Sequence, residues 1–179
     1  IGCTLIRINE KKEIIKGIIV ETEAYSQEEE SCHGHNKKTN SNKTLFGEPG
    51  TIYVYKSYGL HYCLNIVTGN LHFASGVLIR SVFIKNLPER TASGPGLVSK
   101  SFSINKTLND SKIYDNNFLK LRKPINPIDK NELVQTNRVG ITKAVNLKWR
   151  WYLRQSRSIS KREKGDKNPL LKNLSNEFQ

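Results

Sequence analysis

The longest β-forming segment of the chain, Ile14 to Tyr25 (IIKGIIVETEAY), is rich in β-branched residues and becomes polar only at its end. Such a pattern predicts one long strand whose carboxyl end meets a polar loop. Because side chains alternate between the two faces of a strand, Glu21, Glu23 and Tyr25 are expected on one face.

A second β block follows the Pro49-Gly50 turn. Thr51 to Tyr55 and Leu60 to Val67 alternate apolar and polar residues around Lys56-Ser57-Tyr58-Gly59, which predicts a hairpin with Tyr58 near its tip. In the second arm, Leu64 and Ile66 share one face, and His61, Cys63 and Asn65 share the other.

The other predicted elements are a polar loop over Ser26 to Asn42, a strand over Gly76 to Phe83 and a helix near Leu97 to Ile104. An irregular stretch over Asn105 to Asn131 holds one short strand near Phe118 to Leu121, and further short strands are predicted at Val139 to Ala144 and Trp149 to Leu153.

Charge indicates a polyanionic partner. The chain has 179 residues with 29 Lys and Arg against 16 Asp and Glu, and from Arg138 onward eleven basic residues face only three acidic ones. Nucleic acid is the first candidate partner and an anionic membrane surface the second, while a merely solvated surface or a disordered tail stays an alternative. The polar and basic end of the chain, from Ser156 to Gln179, is expected to fray. No run approaches the ~18 apolar residues of a membrane-spanning helix.

Two charged residues stand out inside apolar segments. Arg80 interrupts the strand Gly76 to Phe83, where an unpaired charge is costly to bury, so it is expected to meet a carboxylate or a substrate. The alternative is an edge strand with Arg80 in solvent. Glu23 closes its strand beside a polar loop, and it is either a functional carboxylate or a solvated strand end.

Four tyrosines, Tyr53, Tyr55, Tyr58 and Tyr62, fall within ten residues. Aromatic side chains among basic ones suit stacking against nucleic-acid bases, whereas the alternative is that they pack a sheet. Tyr58 fits the packing alternative least, because a turn position is exposed.

Cysteine and histidine give a weaker signal. Three cysteines are few and odd in number for a disulfide scaffold, which favours an intracellular, reducing compartment. Cys32, His33 and His35, with His61 and Cys63 downstream, suggest zinc, but their spacing matches no usual structural zinc pattern, so no metal is expected. The P-loop, the nucleophile elbow and the dinucleotide fingerprint are all absent.

Taken in order, these motifs resemble the alkyladenine (3-methyladenine, methylpurine) DNA glycosylase family. The resemblance covers nearly the whole chain to about Ser158. It is carried by VETEAY (20–25), a loop with His33, PGTIYVY (49–55), Tyr58-Gly59, CLNI (63–66), VLIR (77–80), SGPG (93–96) and RVGI (138–141).

The resemblance implies a single mixed α/β (α+β) domain around a curved antiparallel sheet, with a protruding β-hairpin that inserts into DNA. It assigns residues 1–158 to the glycosylase domain, with the upstream end of that domain missing, and leaves 159–179 as a basic polar tail. It also implies a monomeric, monofunctional enzyme without cofactor or lyase activity, which acts on double-stranded DNA containing damaged purines. The location expected is intracellular, in the cytoplasm and nucleoid of a bacterium or the nucleus of a eukaryote.

The same resemblance gives each site residue a role. Glu23 corresponds to the general base that activates water, and Arg80 to the basic group beside that water. The intercalating wedge corresponds to Tyr58. Base-pocket positions correspond to Tyr25, His33, Tyr55, Asn65 and Val139, with Asn65 excluding the 2-amino group of normal guanine. The alternatives are a C-terminal domain of a formyl-transferring protein, which would have no need of ETEAY, and a non-catalytic nucleic-acid-binding module of the same fold.

Overall fold

A computed structural model describes residues 1–124 and 126–169. Within these residues the strands are β1 (Thr4–Ile8), β2 (Ile14–Ser26), β3 (Ile52–Ser57), β4 (His61–Val67), β5 (Ser75–Phe83), β6 (Leu119–Arg122), β7 (Leu133–Thr136) and β8 (Arg150–Leu153). The α-helix α1 spans Pro95–Ser101, and short 3₁₀ turns lie at Lys43–Phe46, Lys106–Leu108, Ile113–Asp115 and Lys130–Glu132. None of the helices in the described part of the chain is long and apolar enough to cross a membrane.

The strands form one antiparallel sheet in the order β3-β4-β5-β2-β1-β6, curled into a half-barrel. The long strand β2 lies near its centre. It pairs with β5 on one side and, on the other, first with β1 and then with β8, which in turn pairs with β7. The prediction of a single α+β domain around a curved antiparallel sheet is therefore confirmed.

The β3–β4 hairpin follows the predicted alternation. Tyr53 pairs with Asn65 and Tyr55 with Cys63, while Val54 pairs with Leu64 on the opposite face. Val54 and Leu64 lie in the main core, against Val98 and Phe102 at helix α1. The opposite face of the hairpin is left free to line a cavity.

Several local predictions need correction. The helix near Leu97 to Ile104 exists but lies two to three residues earlier, because Pro95 takes the first helical turn, where its missing N–H is not needed. The strand predicted for Val139 to Ala144 is wrong, since this segment is a loop whose backbone bonds to the side chains of Glu23, Ser31 and Arg138. Strands β1 and β7 were not predicted.

The chain end differs from the prediction where it is described. Ser156, Ser158 and Ile159 are buried, and Ile159 packs with Val20 and Tyr152. Fraying from Ser156 onward is therefore wrong for these residues. The domain boundary at 158 stays a prediction, and residues 170–179 lie outside the described residues.

Candidate active site

A cavity of about 570 Å³ opens where the end of β2, the β3–β4 hairpin, β5 and the loop after β7 meet. This volume lies in the range of small-molecule sites. The structure brings the predicted site residues together here, although they come from distant parts of the chain. Seven of them line the cavity: Tyr25, His33, Tyr55, Tyr58, Asn65, Arg80 and Val139.

Glu23 lies directly behind this lining. Its side chain is fully buried, so the alternative of a solvated strand end is wrong. One carboxylate oxygen accepts a hydrogen bond from the Val139 N–H at 2.8 Å. The other accepts from the Tyr25 hydroxyl at 2.9 Å and from Arg80 Nη1 at 3.2 Å. All three donors belong to residues that line the cavity, so Glu23 is held by the cavity wall itself.

Arg80 reaches Glu23 because the β2–β5 ladder is irregular. Glu21 pairs with Ser81 and Thr22 with Ile79, which leaves Arg80 as an extra residue in β5. A bulge of this kind re-aims a side chain. Strand β5 lies between β4 and β2, so the edge-strand alternative for Arg80 is wrong, and the expectation that Arg80 meets a carboxylate is confirmed.

The Tyr25 hydroxyl donates a hydrogen bond to the Glu23 carboxylate. Burial, together with the adjacent Glu23 carboxylate, raises the pKa of Tyr25. The hydroxyl therefore keeps its proton at neutral pH and remains a donor to Glu23. Its ring also lies under the guanidinium of Arg138, 4.6 Å from the ring centroid.

Arg138 fixes the loop that supplies the Val139 N–H. Its guanidinium makes two hydrogen bonds to Glu29, at 2.6 and 2.8 Å, and a third to the Ala24 carbonyl at 3.0 Å. Glu29 also accepts from the Ser31 N–H, two residues before His33. One buried ion pair therefore ties the His33 loop to the Val139 loop.

A second carboxylate, Glu21, lies two residues before Glu23 and is equally buried. It accepts from Arg150 at 2.8 Å, from the Ser81 hydroxyl at 2.6 Å, and from both the N–H and the hydroxyl of Ser160. Arg80 Nε lies 3.3 Å from it. Arg80 therefore bridges the two glutamates.

The aromatic part of the cavity is formed by His33 with the tyrosines of β3. The ring centroids of His33 and Tyr55 lie 4.3 Å apart, and His33 Nδ1 lies 3.0 Å from the Tyr53 hydroxyl. One side of the imidazole is open to the cavity, while desolvation of the rest lowers the pKa of His33. Tyr53 is buried, and Tyr62 packs on the core, so the sheet-packing alternative holds for those two tyrosines.

Asn65 lies on β4 at the cavity, and its amide is anchored. The side-chain nitrogen donates to the carbonyls of Tyr53 and Cys63 at 3.2 and 3.4 Å. The amide therefore has a fixed position beside whatever enters the cavity.

Tyr58 lies at the hairpin tip and is 90% exposed. Tyr58 and Gly59 both have positive φ, 49° and 68°, and the Leu60 N–H donates to the Ser57 carbonyl at 3.0 Å. These are the φ signs of a type I′ turn, the tight connection that matches the twist of a hairpin. The turn thus projects Tyr58 into solvent at the mouth of the cavity, and the neighbouring Leu60 is also exposed.

Three of the cysteines and histidines that suggest zinc each contact a different partner. His35 Nδ1 contacts the Gln27 carbonyl, Cys32 contacts the Ala74 carbonyl, and His33 contacts Tyr53. Over residues 1–124 and 126–169, no group of three or more His, Cys, Asp or Glu side chains is placed to hold a metal ion.

Sequence reasoning missed several residues that build the site. Glu21 had a usable signal, because alternation placed it on the same face as Glu23. Arg138 was indicated only as part of the RVGI motif. Nothing in the sequence indicated that Glu29 and Ser160 help to build the site, since their partners lie more than a hundred residues away in the chain.

Comparison with known proteins gives a consistent result. The family model for methylpurine-DNA glycosylase matches residues 1–157. A protein of Synechococcus elongatus, provisionally named 3-methyladenine DNA glycosylase, is 37% identical over 164 residues, which cover 92% of this chain and 84% of that protein. Proteins with the same provisional name from Trichodesmium erythraeum and Methanoculleus marisnigri are each 38% identical, cover 90% of this chain, and are themselves covered over 89% and 90%. With a family model matching most of its length and relatives above 30% identity, this chain belongs to the methylpurine-DNA glycosylase family.

Proposed function

We propose that this protein excises alkylated or deaminated purines from double-stranded DNA, and that 3-methyladenine, 7-methylguanine, hypoxanthine and ethenoadenine are its candidate substrates. It hydrolyses the N-glycosidic bond and leaves an abasic site for base excision repair. The observation that carries the proposal is the buried Glu23 carboxylate, held by three donors that all belong to the cavity lining.

In this proposal Glu23 is the general base. Its three donors fix the orientation of the carboxylate, and a water at the Glu23 end of the cavity gives up its proton as it attacks the sugar. The negative charge also stabilises the oxocarbenium-like sugar in the transition state. Arg80, which contacts Glu23 and lines the cavity, is the basic group beside the attacking water.

The extruded purine stacks in the aromatic part of the cavity. Tyr25 is assigned to one side of the base, His33 and Tyr55 to the other, and Val139 to the rim. A depressed pKa keeps His33 neutral at pH 7, so the imidazole does not repel a positively charged alkylpurine.

Asn65 serves as an exclusion device. Its amide is anchored to two carbonyls and cannot move aside, so the 2-amino group of normal guanine clashes with it. Asn65→Ser should therefore release undamaged guanine, particularly opposite thymine. Unchanged release of guanine in that variant would refute this role.

Tyr58 is the DNA-inserting residue. A flipped nucleotide leaves a gap in the base stack, and an exposed aromatic ring on a tight turn can fill it. The exposure of Tyr58 and its position at the cavity mouth support this assignment.

One observation favours a second candidate, a non-catalytic DNA-binding module. Glu23 has no exposed surface, and a fully buried carboxylate can serve purely to hold Arg80 and the Val139 loop. Catalysis therefore requires that Tyr25 or Arg80 yield enough space for water when DNA binds.

The two candidates are separated by incubating the protein with a duplex that contains one hypoxanthine, in the presence of a chelator. We expect release of free hypoxanthine and strand cleavage only after alkali. Cleavage without alkali would contradict the absence of lyase activity, and a chelator-sensitive reaction would contradict the absence of a metal. Binding without release of any of the four candidate bases, each placed in the same duplex, would identify the protein as a binding module.

A further inference from the structure

Ser160 contacts Arg80, the arginine that bridges the two buried glutamates. Its hydroxyl oxygen lies 3.0 Å from Arg80 Nε and 2.8 Å from Glu21 Oε1. Its backbone N–H donates to the other oxygen of Glu21 at 2.7 Å. Ser160 lies outside the lining of the cavity and beyond residues 1–157, which the family model matches. None of the roles proposed above is assigned to it.

The directions of these hydrogen bonds follow from the groups themselves. A guanidinium has only donors and a carboxylate has only acceptors, whereas a hydroxyl can both donate and accept. The Ser160 oxygen therefore accepts from Arg80 Nε, and its single proton is donated to Glu21. The hydroxyl thus joins the two charged groups in one defined geometry.

The backbone on either side of Ser160 is fixed by distant side chains. Arg90 Nη1 donates to the Ile159 carbonyl at 3.3 Å, and Arg150 Nη1 donates to the Lys161 carbonyl at 2.6 Å. The Ile159 side chain is itself buried. Ser160 therefore offers Arg80 an acceptor whose position is set by the fold.

The two ends of the Arg80 guanidinium have different surroundings. Nε is held by Ser160 and lies 3.3 Å from Glu21 Oε1. Nη1 donates to Glu23 at 3.2 Å and lies 3.5 Å from the Val139 carbonyl. Among the described residues the remaining nitrogen, Nη2, has no hydrogen-bond acceptor. Because the guanidinium is planar and rigid, a fixed Nε also fixes the direction of both Nη groups.

We propose that the Ser160 hydroxyl is a positioning group for base excision, which holds Arg80 so that its Nη groups face Glu23 and the attacking water. The proposal rests on the proposed function, in which Arg80 is the basic group beside that water. Without the hydroxyl, Arg80 Nε keeps only the longer contact to Glu21, and the guanidinium is free to turn away from the geometry that the reaction needs. The functional domain then extends past the boundary predicted at Ser158.

The test compares Ser160→Ala with the matched control Ser81→Ala. Both serines donate a hydroxyl hydrogen bond to Glu21, at 2.8 and 2.6 Å, but among the described residues only the Ser160 hydroxyl also accepts from Arg80. In Ser160→Ala, Glu21 keeps its bonds to Arg150, to Ser81 and to the backbone N–H of residue 160, so the variant should fold. Ser160→Thr retains the hydroxyl and is the conservative variant.

Single-turnover excision of hypoxanthine measures the effect on the reaction. A displaced reacting group can lower a rate by about 10²-fold, and Arg80 keeps its contact to Glu23, so Ser160→Ala should lose about 10-fold. Its affinity for the hypoxanthine duplex should equal that of the wild type, because Ser160 lies outside the cavity. Ser81→Ala and Ser160→Thr should keep the wild-type rate. An unchanged rate in Ser160→Ala, an equal loss in Ser81→Ala, or no rescue by Ser160→Thr would overturn the proposal.

A second measurement needs no activity. The Arg80 Nε–H gives an NMR signal, which Arg80→Lys identifies by its loss. Exchange of this proton with water should be slow in the wild type, in Ser81→Ala and in Ser160→Thr, and should be at least about 10-fold faster in Ser160→Ala, because the proton loses its nearer acceptor. Equal exchange in all four proteins would overturn the positioning role.

The two measurements separate this proposal from the proposed function. Release of hypoxanthine by the wild type together with equal proton exchange overturns only the positioning role of Ser160. Faster exchange in Ser160→Ala, without release of any of the four candidate bases by the wild type, leaves Ser160 as the anchor of Arg80 and overturns only the proposed glycosylase activity.

Discussion

Two clusters of buried charge lie side by side on β2 and differ in one respect. The Glu21 cluster consists of Glu21, Ser81, Arg150 and Ser160, and the Glu23 cluster of Glu23, Tyr25, Arg80 and Val139. Both carboxylates are fully buried, and both contact Arg80. The difference lies in the donors. Those of Glu23 line the cavity, whereas Ser81, Arg150 and Ser160 do not.

The comparison shows that neither residue type nor burial distinguishes Glu23, the proposed general base, from Glu21. Glu21 and Glu23 are the same residue type and lie two positions apart on β2. What differs is whether the surrounding donors also face a space that can hold substrate. We therefore expect loss of Glu21 to affect folding and loss of Glu23 to affect chemistry.

The largest effect is expected from Glu21→Gln. Arg80 would keep Glu23 as its counter-ion, but Arg150 would remain buried with only carbonyl acceptors. Removal of one partner of a buried ion pair costs about 3–5 kcal/mol in the free energy of unfolding. Denaturant unfolding measures this loss, with the exposed Glu28→Gln as control. A loss equal to that of the control would mean that the Glu21 cluster does not stabilise the fold.

Next in size is Glu23→Gln, which keeps the side-chain shape but removes the base. Single-turnover excision should fall by about 10²-fold or more, which corresponds to roughly 2.7 kcal/mol. Its loss of stability should be smaller than that of Glu21→Gln, because Arg80 retains Glu21. Lesion binding should persist. Excision close to that of the wild type, measured in the folded variant, would remove the distinction between the two glutamates.

Tyr58→Ala tests a residue that lines the cavity but, unlike the buried Glu21 and Glu23, is exposed to solvent. Tyr58 is almost fully exposed, so its loss should leave stability unchanged, but stacking in DNA is worth roughly 1–3 kcal/mol. The lesion-specific part of binding should therefore weaken, while the salt slope stays constant, because that slope counts phosphates. Affinities for lesion and undamaged duplexes over a salt series measure both quantities. Equal weakening of the two duplexes would show that Tyr58 is an ordinary surface tyrosine.

The smallest effect concerns His33 and pH. Because the folded-state pKa of His33 is depressed, the unfolded chain binds the proton first as pH falls below about 6.5. Stability should therefore decline on the acid side of that value, and His33→Gln should reduce the decline. Urea midpoints from pH 7.5 to 5.5 measure the effect. An identical decline in the variant and the wild type would mean that His33 is not desolvated.

The sequence predicted much of this molecule correctly, for a local reason. Alternation along Ile14 to Tyr25 and along the two hairpin arms depends only on extended backbone geometry, so the faces of Glu23, Tyr55 and Asn65 followed directly. The exposed turn at Tyr58 followed from its flanking strands. The motifs that carry the family resemblance are likewise local, and the family comparison confirms them.

Contacts between segments that are far apart in the chain could not be predicted from the sequence. The bulge that turns Arg80 toward Glu23 exists only in the pairing of β2 with β5. Arg138 meets Glu29 across 109 positions of the chain, and Ser160 meets Glu21 across 139. The strand expected at Val139 to Ala144 failed for the same reason, because its backbone bonds to a distant carboxylate instead of a neighbouring strand.

The sequence alone therefore determined which side chains are available to the proposed chemistry, because residue type and strand periodicity are local properties. Tertiary structure decided which of the two neighbouring glutamates is held by residues that line a cavity, since that depends on where β5, β8 and the Val139 loop meet. Periodicity placed Glu21 and Glu23 on the same face and could not separate them. Only the packing around each carboxylate, which assigns its donors either to the interior or to the cavity wall, makes them different.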